Sequence, residues 1–240
     1  MEGSENMMKC RHPLFPKLYF TNDSEKNTFN DYLEFKGLFL HKQVYEAFLL
    51  YQDAVSYHEL STYIKYDKGL RNVLYRNLSA IEEFYRSRLI NKYDIERELT
   101  DFKKDVVKNG ELVESNGSTS NLYNYTFCKS FDMYKLISML SHVKLLTYRE
   151  KTDLNRIRDF RNKVMHHNLL ILSSHTSKDN IETEIREIEF ICELIYNYLP
   201  EPMRGAFQGN INKCNHITAN NKVPNLEILC VREMSNGIFR

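Results

Sequence analysis

The 240-residue sequence contains no tryptophan, only 8 glycines and 5 prolines, and no surplus of charge of either sign. Lys and Arg number 33 against 32 Asp and Glu, which leaves a formal net charge of +1. No global positive field therefore indicates a nucleic-acid-binding protein, and any such binding must depend on a local patch. With 42% hydrophobic and 27% charged residues, the composition is that of a globular protein.

Cysteine pairs and long apolar runs are also missing. No Cys-x-x-Cys occurs, which argues against a zinc site and a disulfide framework and is typical of a protein from a reducing cytosol. No stretch approaches 18 apolar residues, and the first residues lack the charged-then-apolar order of a signal peptide. We expect a soluble, cytoplasmic protein. Its five cysteines are scattered: Cys10, Cys128, Cys192, Cys214 and Cys230.

Several well-known catalytic patterns are absent as well. The sequence has no phosphate-binding Gly-rich loop, no Gly-x-Ser-x-Gly and no His-Glu-x-x-His. What it does contain is a concentration of polar side chains at residues 158–168, which read RDFRNKVMHHN. Two arginines, an asparagine amide and two imidazoles fall within this short segment. It is the first place to look for function.

The segment lies in a predicted amphipathic helix that starts after Thr152 or Asp153 as cap and runs to about residue 172. Arg158, Asn162 and His166 are spaced i, i+4, i+8 and so share one side of the helix. A fixed cation beside a titratable imidazole is what cleavage of a phosphodiester needs. The apolar stripe that should face the core comprises Leu154, Ile157, Phe160 and Val164.

Three segments resemble one protein family. Residues 161–166 (RNKVMH) look like the Arg-Asn-x3-His form of the Arg-x4-6-His motif of HEPN-domain ribonucleases. Residues 81–89 (IEEFYRSRL) resemble the Ile-Glu-x-Phe-x-Lys/Arg-Thr/Ser-Arg helix of bacterial abortive-infection (Abi-like) HEPN proteins. Residues 130–136 (SFDMYKL) resemble their Ser-Phe-Gly-x-Leu-x-Lys-Leu segment. The segments occur in the family's order, and the resemblance covers about residues 30–200.

The resemblance implies a metal-independent endoribonuclease that acts as a toxin in antiphage abortive infection. RNA supplies its own nucleophile, the 2′-OH, so no cofactor is expected, and the products are 2′,3′-cyclic phosphate and 5′-OH ends. His166 would be the general acid or base and Arg161 would hold the phosphate. Asn162 would fix the imidazole tautomer or hydrogen-bond the phosphate.

The family resemblance also implies partners. Related ribonucleases form homodimers in which two motif helices face each other across a composite cleft, so we expect a homodimer with a shared active site. An unrestrained ribonuclease harms its host, which implies a restraining antitoxin, either a protein or a small structured RNA. Two alternatives from other classes remain: a non-catalytic RNA-binding module, and a protein-binding helical subunit whose Arg/His motif is structural.

Further residues are candidates for RNA binding or for support of the site. Arg158 and Lys163 belong to a local excess of six basic over three acidic residues between Arg149 and His166. His167 points about 100° away from His166 on a helix, where a structural or surface role is the alternative. The other two candidates are Glu82 and Arg88.

Glu82 and Arg88 are placed near the motif helix by the resemblance alone. They lie on the charged side of a helix predicted for residues 70–93, where they would orient the groups of the motif or extend a phosphate site. The alternative is a solvated face with exchanging ion pairs. That face carries Arg71, Arg76, Glu82, Glu83, Arg86 and Arg88.

The expected fold is all-α, a HEPN-type helical bundle at residues 28–200. It is preceded by an N-terminal arm (1–27) packed on the body and interrupted by a loop-rich insertion at about 109–126. An irregular C-terminal extension (201–240) follows, either separate from the domain or part of it. Besides the helices already given, the pattern predicts a helix over 29–51 with Gly37 as a candidate break, and helices over 130–148, capped by Ser130, and 181–199. A short helix or turn is expected over 53–66, ending before Asp67-Lys68-Gly69. The candidate caps before the first of these helices are Thr21, Asn22, Asp23 and Ser24, or Asn27 and Thr28.

Overall fold

The computed structural model of the protein is mostly helical. It describes residues 8–36, 38–92, 128, 131–165, 169–172, 177–220 and 226–239. The expected insertion at 109–126 lies outside these residues. The helices among them are α1 (Asp23–Lys36), α2 (Leu38–Phe48), α3 (Tyr57–Lys92), α4 (Met133–His142), α5 (Tyr148–Met165), α6 (Lys178–Tyr198) and α7 (Glu201–Asn220).

Two small sheets accompany the helices, one near the N-terminus and one near the C-terminus. The first has the order β1-β2-β3, with β1 and β2 antiparallel and β2 and β3 parallel. The second is a β4-β5 hairpin whose two turn residues, Asn236 and Gly237, have φ values of 50° and 79°. Positive φ at both positions is the geometry of the tightest hairpin turn, which Asn-Gly favours. The strands are β1 (Met8–Lys9), β2 (Leu18–Phe20), β3 (Val55–Ser56), β4 (Met234–Ser235) and β5 (Ile238–Phe239).

The segment before α1 packs on the helices through its aromatic side chains. Phe15 and Phe20 are buried, and the Phe15 ring lies 5.2 Å from that of Tyr45 in α2, centroid to centroid. α1 begins at Asp23, and Asn22, one of the expected caps, accepts the backbone N–H of Glu25 at 2.9 Å.

α3 is one continuous helix of 36 residues, so the predicted break at Asp67-Lys68-Gly69 is wrong. Asp67 is buried and accepts the backbone N–H of Leu170 at 2.8 Å. Gly69 faces α7, where an added Cβ would lie 3.6 Å from the Sγ of Cys214. The contact of Asp67 with Leu170 and the packing of Gly69 against α7 therefore outweigh the roughly 1 kcal/mol by which a glycine within a helix lowers stability.

The expectation of an irregular C-terminal extension is wrong, because residues 201–220, half of that segment, form α7. Pro202 lies in the first turn, where a missing N–H breaks no helical hydrogen bond. Phe207 and Ile211 are fully buried, and α7 packs along α3. The chain beyond α7 is also tied to the body, since Arg232 pairs with the buried Glu189 of α6 at 2.6 Å.

α3 is central to the described part of the chain, since it contacts each of the other six helices. α4 is capped by Asp132, which accepts the backbone N–H of Lys135 at 2.8 Å, and not by Ser130 as predicted. It ends at His142, earlier than predicted, and Lys144 follows with a φ of 57°. Within the described ranges, no helix is both long enough and apolar enough to cross a membrane.

Candidate functional site

The helix that carries the Arg/His motif is α5, and it begins earlier than the sequence predicts. Thr147 and Glu150 cap each other reciprocally: the Glu150 carboxylate accepts the Thr147 N–H at 2.7 Å, and the Thr147 hydroxyl accepts the Glu150 N–H at 3.2 Å. Hydrogen bonding to the Thr147 backbone lowers the pKa of Glu150. Thr152 and Asp153, the predicted caps, lie inside the helix.

The described part of α5 runs from Tyr148 to Met165, and Leu169–Leu172 are not helical, so the prediction of a helix to about residue 172 is wrong. Of the predicted site residues on this helix, Asn162 is exposed, whereas Arg158, Arg161 and Lys163 are half-buried. His166 and His167 lie outside the described residues. The side buried against the core carries Leu154, Ile157, Phe160 and Val164, as predicted, together with Asp153.

Arg161 is held by an ion pair from the neighbouring helix α3. Its Nη2 lies 3.3 Å from Oε2 of Glu82, and the two side chains are 31% and 15% exposed. The other oxygen of Glu82 accepts from Nη2 of Arg86, one turn further along α3, at 2.7 Å. One carboxylate therefore lies between two guanidinium groups, and the set retains a net positive charge.

Arg86 is the most deeply buried of these three residues, with 7% of its surface exposed. Its Nη1 donates to the backbone carbonyls of Cys128 and Phe131, the latter at 3.1 Å. From the sequence, Arg86 was placed only on a charged helix face. Its spacing of four residues from Glu82 is the pattern that could have predicted the ion pair between them. Because Glu82 and Arg86 are largely buried, a freely solvated face does not describe this part of α3.

The Arg86 and Glu82 contacts join the three segments that carry the family resemblance. Arg86 and Glu82 belong to residues 81–89, Phe131 to residues 130–136, and Arg161 to residues 161–166. These segments are far apart in the sequence, yet they meet at one place in the fold. The resemblance did not predict the contact between residues 81–89 and residues 130–136.

Arg88 and Arg158 do not join the Glu82–Arg161 pair. Nη1 of Arg88 lies 3.8 Å from Oε1 of Glu150, near the start of α5. Nη2 of Arg158 donates to Asp159 at 2.7 Å, and its guanidinium carbon lies 5.3 Å from the ring centroid of the exposed Tyr134. Glu82 and Arg88 thus both contact α5, but at points several turns apart.

Asn162 and Lys163 complete the described part of the motif. Neither side chain makes a hydrogen bond or an ion pair with another residue in the described ranges. The exposed Asn162 amide lies beside Arg161 in the sequence, on the solvent side of α5. Its polar groups are consequently open to a ligand.

The chain that follows the motif is anchored by Asp67, which the sequence analysis missed. Leu169–Leu172 are buried and not helical, and the N–H of Leu170 donates to Oδ1 of Asp67 at 2.8 Å. The same carboxylate lies 2.8 Å from Nε of Arg71. Burial raises the pKa of Asp67 from 3.8 to about 6, against the opposing effects of Arg71 and Leu170.

The chain matches no protein-family model, no curated protein and no solved structure. The resemblance to HEPN ribonucleases therefore depends on the three short segments, which meet around Arg161, Glu82 and Arg86.

Proposed function

We propose that the protein is a metal-independent endoribonuclease of the HEPN, Abi-like type, with Arg161 and His166 as its catalytic residues. The observation that supports this best is the ion pair between Arg161 and Glu82, because it joins two of the three resembling segments across α3 and α5. Because Glu82 is itself held by the buried Arg86, the carboxylate that positions the Arg161 guanidinium is fixed in place.

In this proposal Arg161 binds a phosphate of the RNA. Glu82 fixes one side of the guanidinium, and about a third of the side chain remains open to solvent. A guanidinium has five N–H donors, so the remaining donors are available for phosphate oxygens. Because Arg86 also pairs with Glu82, the carboxylate does not cancel the charge that attracts the phosphate.

The chemical step follows from the residues of the motif. His166 takes the proton from the 2′-OH or gives one to the leaving 5′ oxygen, as an imidazole does near neutral pH. The 2′ oxygen bonds to phosphorus as the bond to the 5′ oxygen breaks, which leaves a 2′,3′-cyclic phosphate and a 5′-OH. Arg161 stabilises the charge on the phosphoryl oxygens, and Asn162 hydrogen-bonds the phosphate or the imidazole.

The same proposal includes the partners. Arg158, Lys163 and His167 extend the contact with the RNA backbone, two chains form a homodimer around a composite cleft, and an antitoxin covers that cleft in the resting state. The antitoxin is a protein or a small structured RNA. The cellular role is abortive infection, in which cleavage of RNA stops the growth of a phage-infected cell.

Induced expression in bacteria tests the proposal. Wild type should arrest growth and leave RNA with 2′,3′-cyclic phosphate ends, and both Arg161→Ala and His166→Ala should lose these effects by at least roughly 100-fold. Arg186→Ala is the matched control, because Arg186 is an exposed arginine on α6 paired with Glu182. Circular dichroism establishes that each variant is folded.

The same cultures give the result that would contradict the proposal. If wild type is active and folded Arg161→Ala and His166→Ala proteins arrest growth equally well, catalysis does not use this motif. If purified wild type binds RNA with a salt-dependent affinity but leaves no cyclic-phosphate ends on any cellular RNA, the protein is an RNA-binding module.

A further inference from the structure

A second candidate site lies at the other end of the α3–α5 contact. A cavity of about 600 Å³ opens where the end of α3 and the start of α5 meet the corner between α6 and α7. This volume is in the range of small-ligand pockets. It is separate from the Arg161 site, because Asp153 in its wall precedes Arg161 by eight residues, about 12 Å along α5. Its walls include Phe84, Tyr85, Arg149, Asp153, Tyr198 and Glu201.

Asp153 gives the cavity a buried carboxylate that is incompletely paired. The residue is 9% exposed, and its Oδ2 accepts the hydroxyl of Tyr198 at 2.9 Å. Oδ1 accepts no hydrogen bond from any residue in the described ranges. Burial and the Asp153 carboxylate raise the pKa of Tyr198, so Tyr198 remains a donor to Asp153 at physiological pH.

Arg149 is a loose counter-ion for this carboxylate. Its Nε lies 3.8 Å from Oδ2 of Asp153, too far for a hydrogen bond, and its side chain is 91% exposed. Buried carboxylates are costly unless they are paired and hydrogen-bonded. The Arg149 guanidinium therefore occupies the mouth of the cavity without satisfying the charge inside it.

The walls of the cavity are suited to a flat organic cation. Phe84 is 40% exposed, and the rings of Tyr85 and Tyr198 lie 6.5 Å apart, centroid to centroid. Aromatic faces attract cations. Tyr85 is only 5% exposed and already has the Arg88 guanidinium 5.8 Å from its ring centroid. Phe84 and the half-buried Tyr198 are therefore the rings that a ligand can reach. Carboxylate and aromatic groups thus meet in one cavity.

The charges around the cavity disfavour an anionic ligand. Arg204, which also lines it, donates to the backbone carbonyls of Leu199 and Asn197 at 3.0 and 2.9 Å. Some of the N–H donors of Arg204 are therefore already used. The carboxylates of Asp153 and of the exposed Glu201 still have oxygens that can accept hydrogen bonds from a ligand. A phosphate would meet these carboxylates, whereas a cation would be attracted by them.

We propose that this cavity binds the guanidinium group of a ligand, which pairs with Asp153, stacks on the aromatic walls and displaces Arg149. A planar guanidinium matches a carboxylate with two parallel hydrogen bonds and stacks on rings, which an ammonium does not do as well. The group can belong to a small molecule or to an exposed arginine of a partner protein. The inference does not depend on ribonuclease activity.

Isothermal titration calorimetry with Nα-acetyl-L-arginine amide tests the site. Wild type should bind this probe, and Asp153→Asn should weaken binding by roughly ten-fold or more, since the amide keeps the Tyr198 hydrogen bond but loses the charge. Asp159→Asn, on the same helix and outside the cavity wall, should bind like wild type. Nα-acetyl-L-lysine amide should bind more weakly than the arginine probe.

Arg149→Ala should change the affinity for the arginine probe in the opposite direction from Asp153→Asn. The variant should fold normally, because the Arg149 side chain is almost fully exposed. Removal of the internal competitor should tighten binding of the arginine probe by about three-fold or more. The proposal is overturned if neither wild type nor Arg149→Ala binds the probe at millimolar concentration, if Arg149→Ala binds less tightly, or if adenosine monophosphate binds in its place.

A second titration distinguishes the two sources of the guanidinium. A short acetylated peptide with one central arginine should bind roughly ten-fold more tightly than the single-residue probe if a protein partner is the natural ligand. Equal affinities for the two probes identify a small molecule. Both results support the site, provided that Asp153→Asn weakens binding of each probe.

Discussion

Asp67 connects the chain beyond the candidate catalytic helix to α3. Its carboxylate holds the N–H of Leu170 and pairs with Arg71, although it is almost completely buried. Burial favours the protonated form, and Arg71 and Leu170 compensate for only part of that effect, so the pKa of Asp67 rises from 3.8 to about 6. Between these two pH values, the folded protein holds the Asp67 proton more tightly than the unfolded chain does.

This difference predicts that Asp67 makes the protein more stable as the pH falls from about 6 to about 4. Since the folded state binds more protons in that window, the free energy of unfolding decreases as pH rises through it. A shift of about two pKa units corresponds to about 3 kcal/mol. Urea unfolding of wild type and Asp67→Asn at pH 4 to 7 measures the effect, because the variant lacks this titration.

The stability of wild type relative to Asp67→Asn should therefore increase by about 1–3 kcal/mol from pH 7 to pH 4. Asp31→Asn, at an exposed position of α1, is the control for the general effect of removing a carboxylate. A difference between wild type and Asp67→Asn that does not change with pH would show that Asp67 titrates normally.

At the scale of helices, the sequence predicted those helices in which apolar residues recur regularly at three- and four-residue steps. The predicted helices over 70–93 and 181–199 correspond to the second half of α3 and to α6. The break before Gly69 and the irregular extension were wrong, because Gly, Pro and Asn reduce local helix propensity while burial against another helix decides the outcome. Burial of this kind depends on residues far away in the sequence.

The candidate site shows the same limit. The motif at Arg161 and the position of Glu82 opposite it were expected from the resemblance, and the contact between them is present in the structure. Arg86 and Asp67 were not predicted. Four-residue spacing in α3 indicates only their partners Glu82 and Arg71, whereas their backbone partners lie more than 40 residues away in the chain. No spacing within one helix reveals a partner of this kind.

The buried face of α7 predicts how strongly that helix contributes to stability. Phe207 is fully buried, so Phe207→Ala should lower the free energy of unfolding by about 3–5 kcal/mol. Met203→Ala is the control on the same helix: Met203 is 37% exposed, and about 1 kcal/mol or less is expected. Denaturant unfolding followed by circular dichroism measures both, and similar effects of the two substitutions would contradict the placement of α7.

At the scale of the whole molecule, the α3–α5 contact carries both candidate sites. The Arg161–Glu82 pair lies towards the end of α5, and the cavity beside Asp153 lies at its start. The exposed side of α5 carries Asn162 and Met165, and the exposed Tyr134 lies beside it under Arg158. In the proposed homodimer, this side of α5 faces the same side of the second copy.

The composite cleft of that homodimer predicts that two inactive variants restore each other. If Arg161 and His166 of both chains surround one scissile phosphate, a mixed dimer of Arg161→Ala and His166→Ala chains retains one intact arginine and one intact histidine. Chains that are unfolded together and refolded at equal concentrations should then cleave RNA at a rate at least roughly ten-fold above either variant alone, because the surviving pair still supplies both phosphate binding and proton transfer.

The control is the same mixture prepared without unfolding, in which the subunits have had no opportunity to exchange. Size-exclusion chromatography establishes that the refolded mixture is dimeric, and differently tagged chains allow the mixed dimer to be purified. If the mixed dimer forms and remains as inactive as its parents, one arginine and one histidine from different chains do not make a working site, and the prediction is wrong.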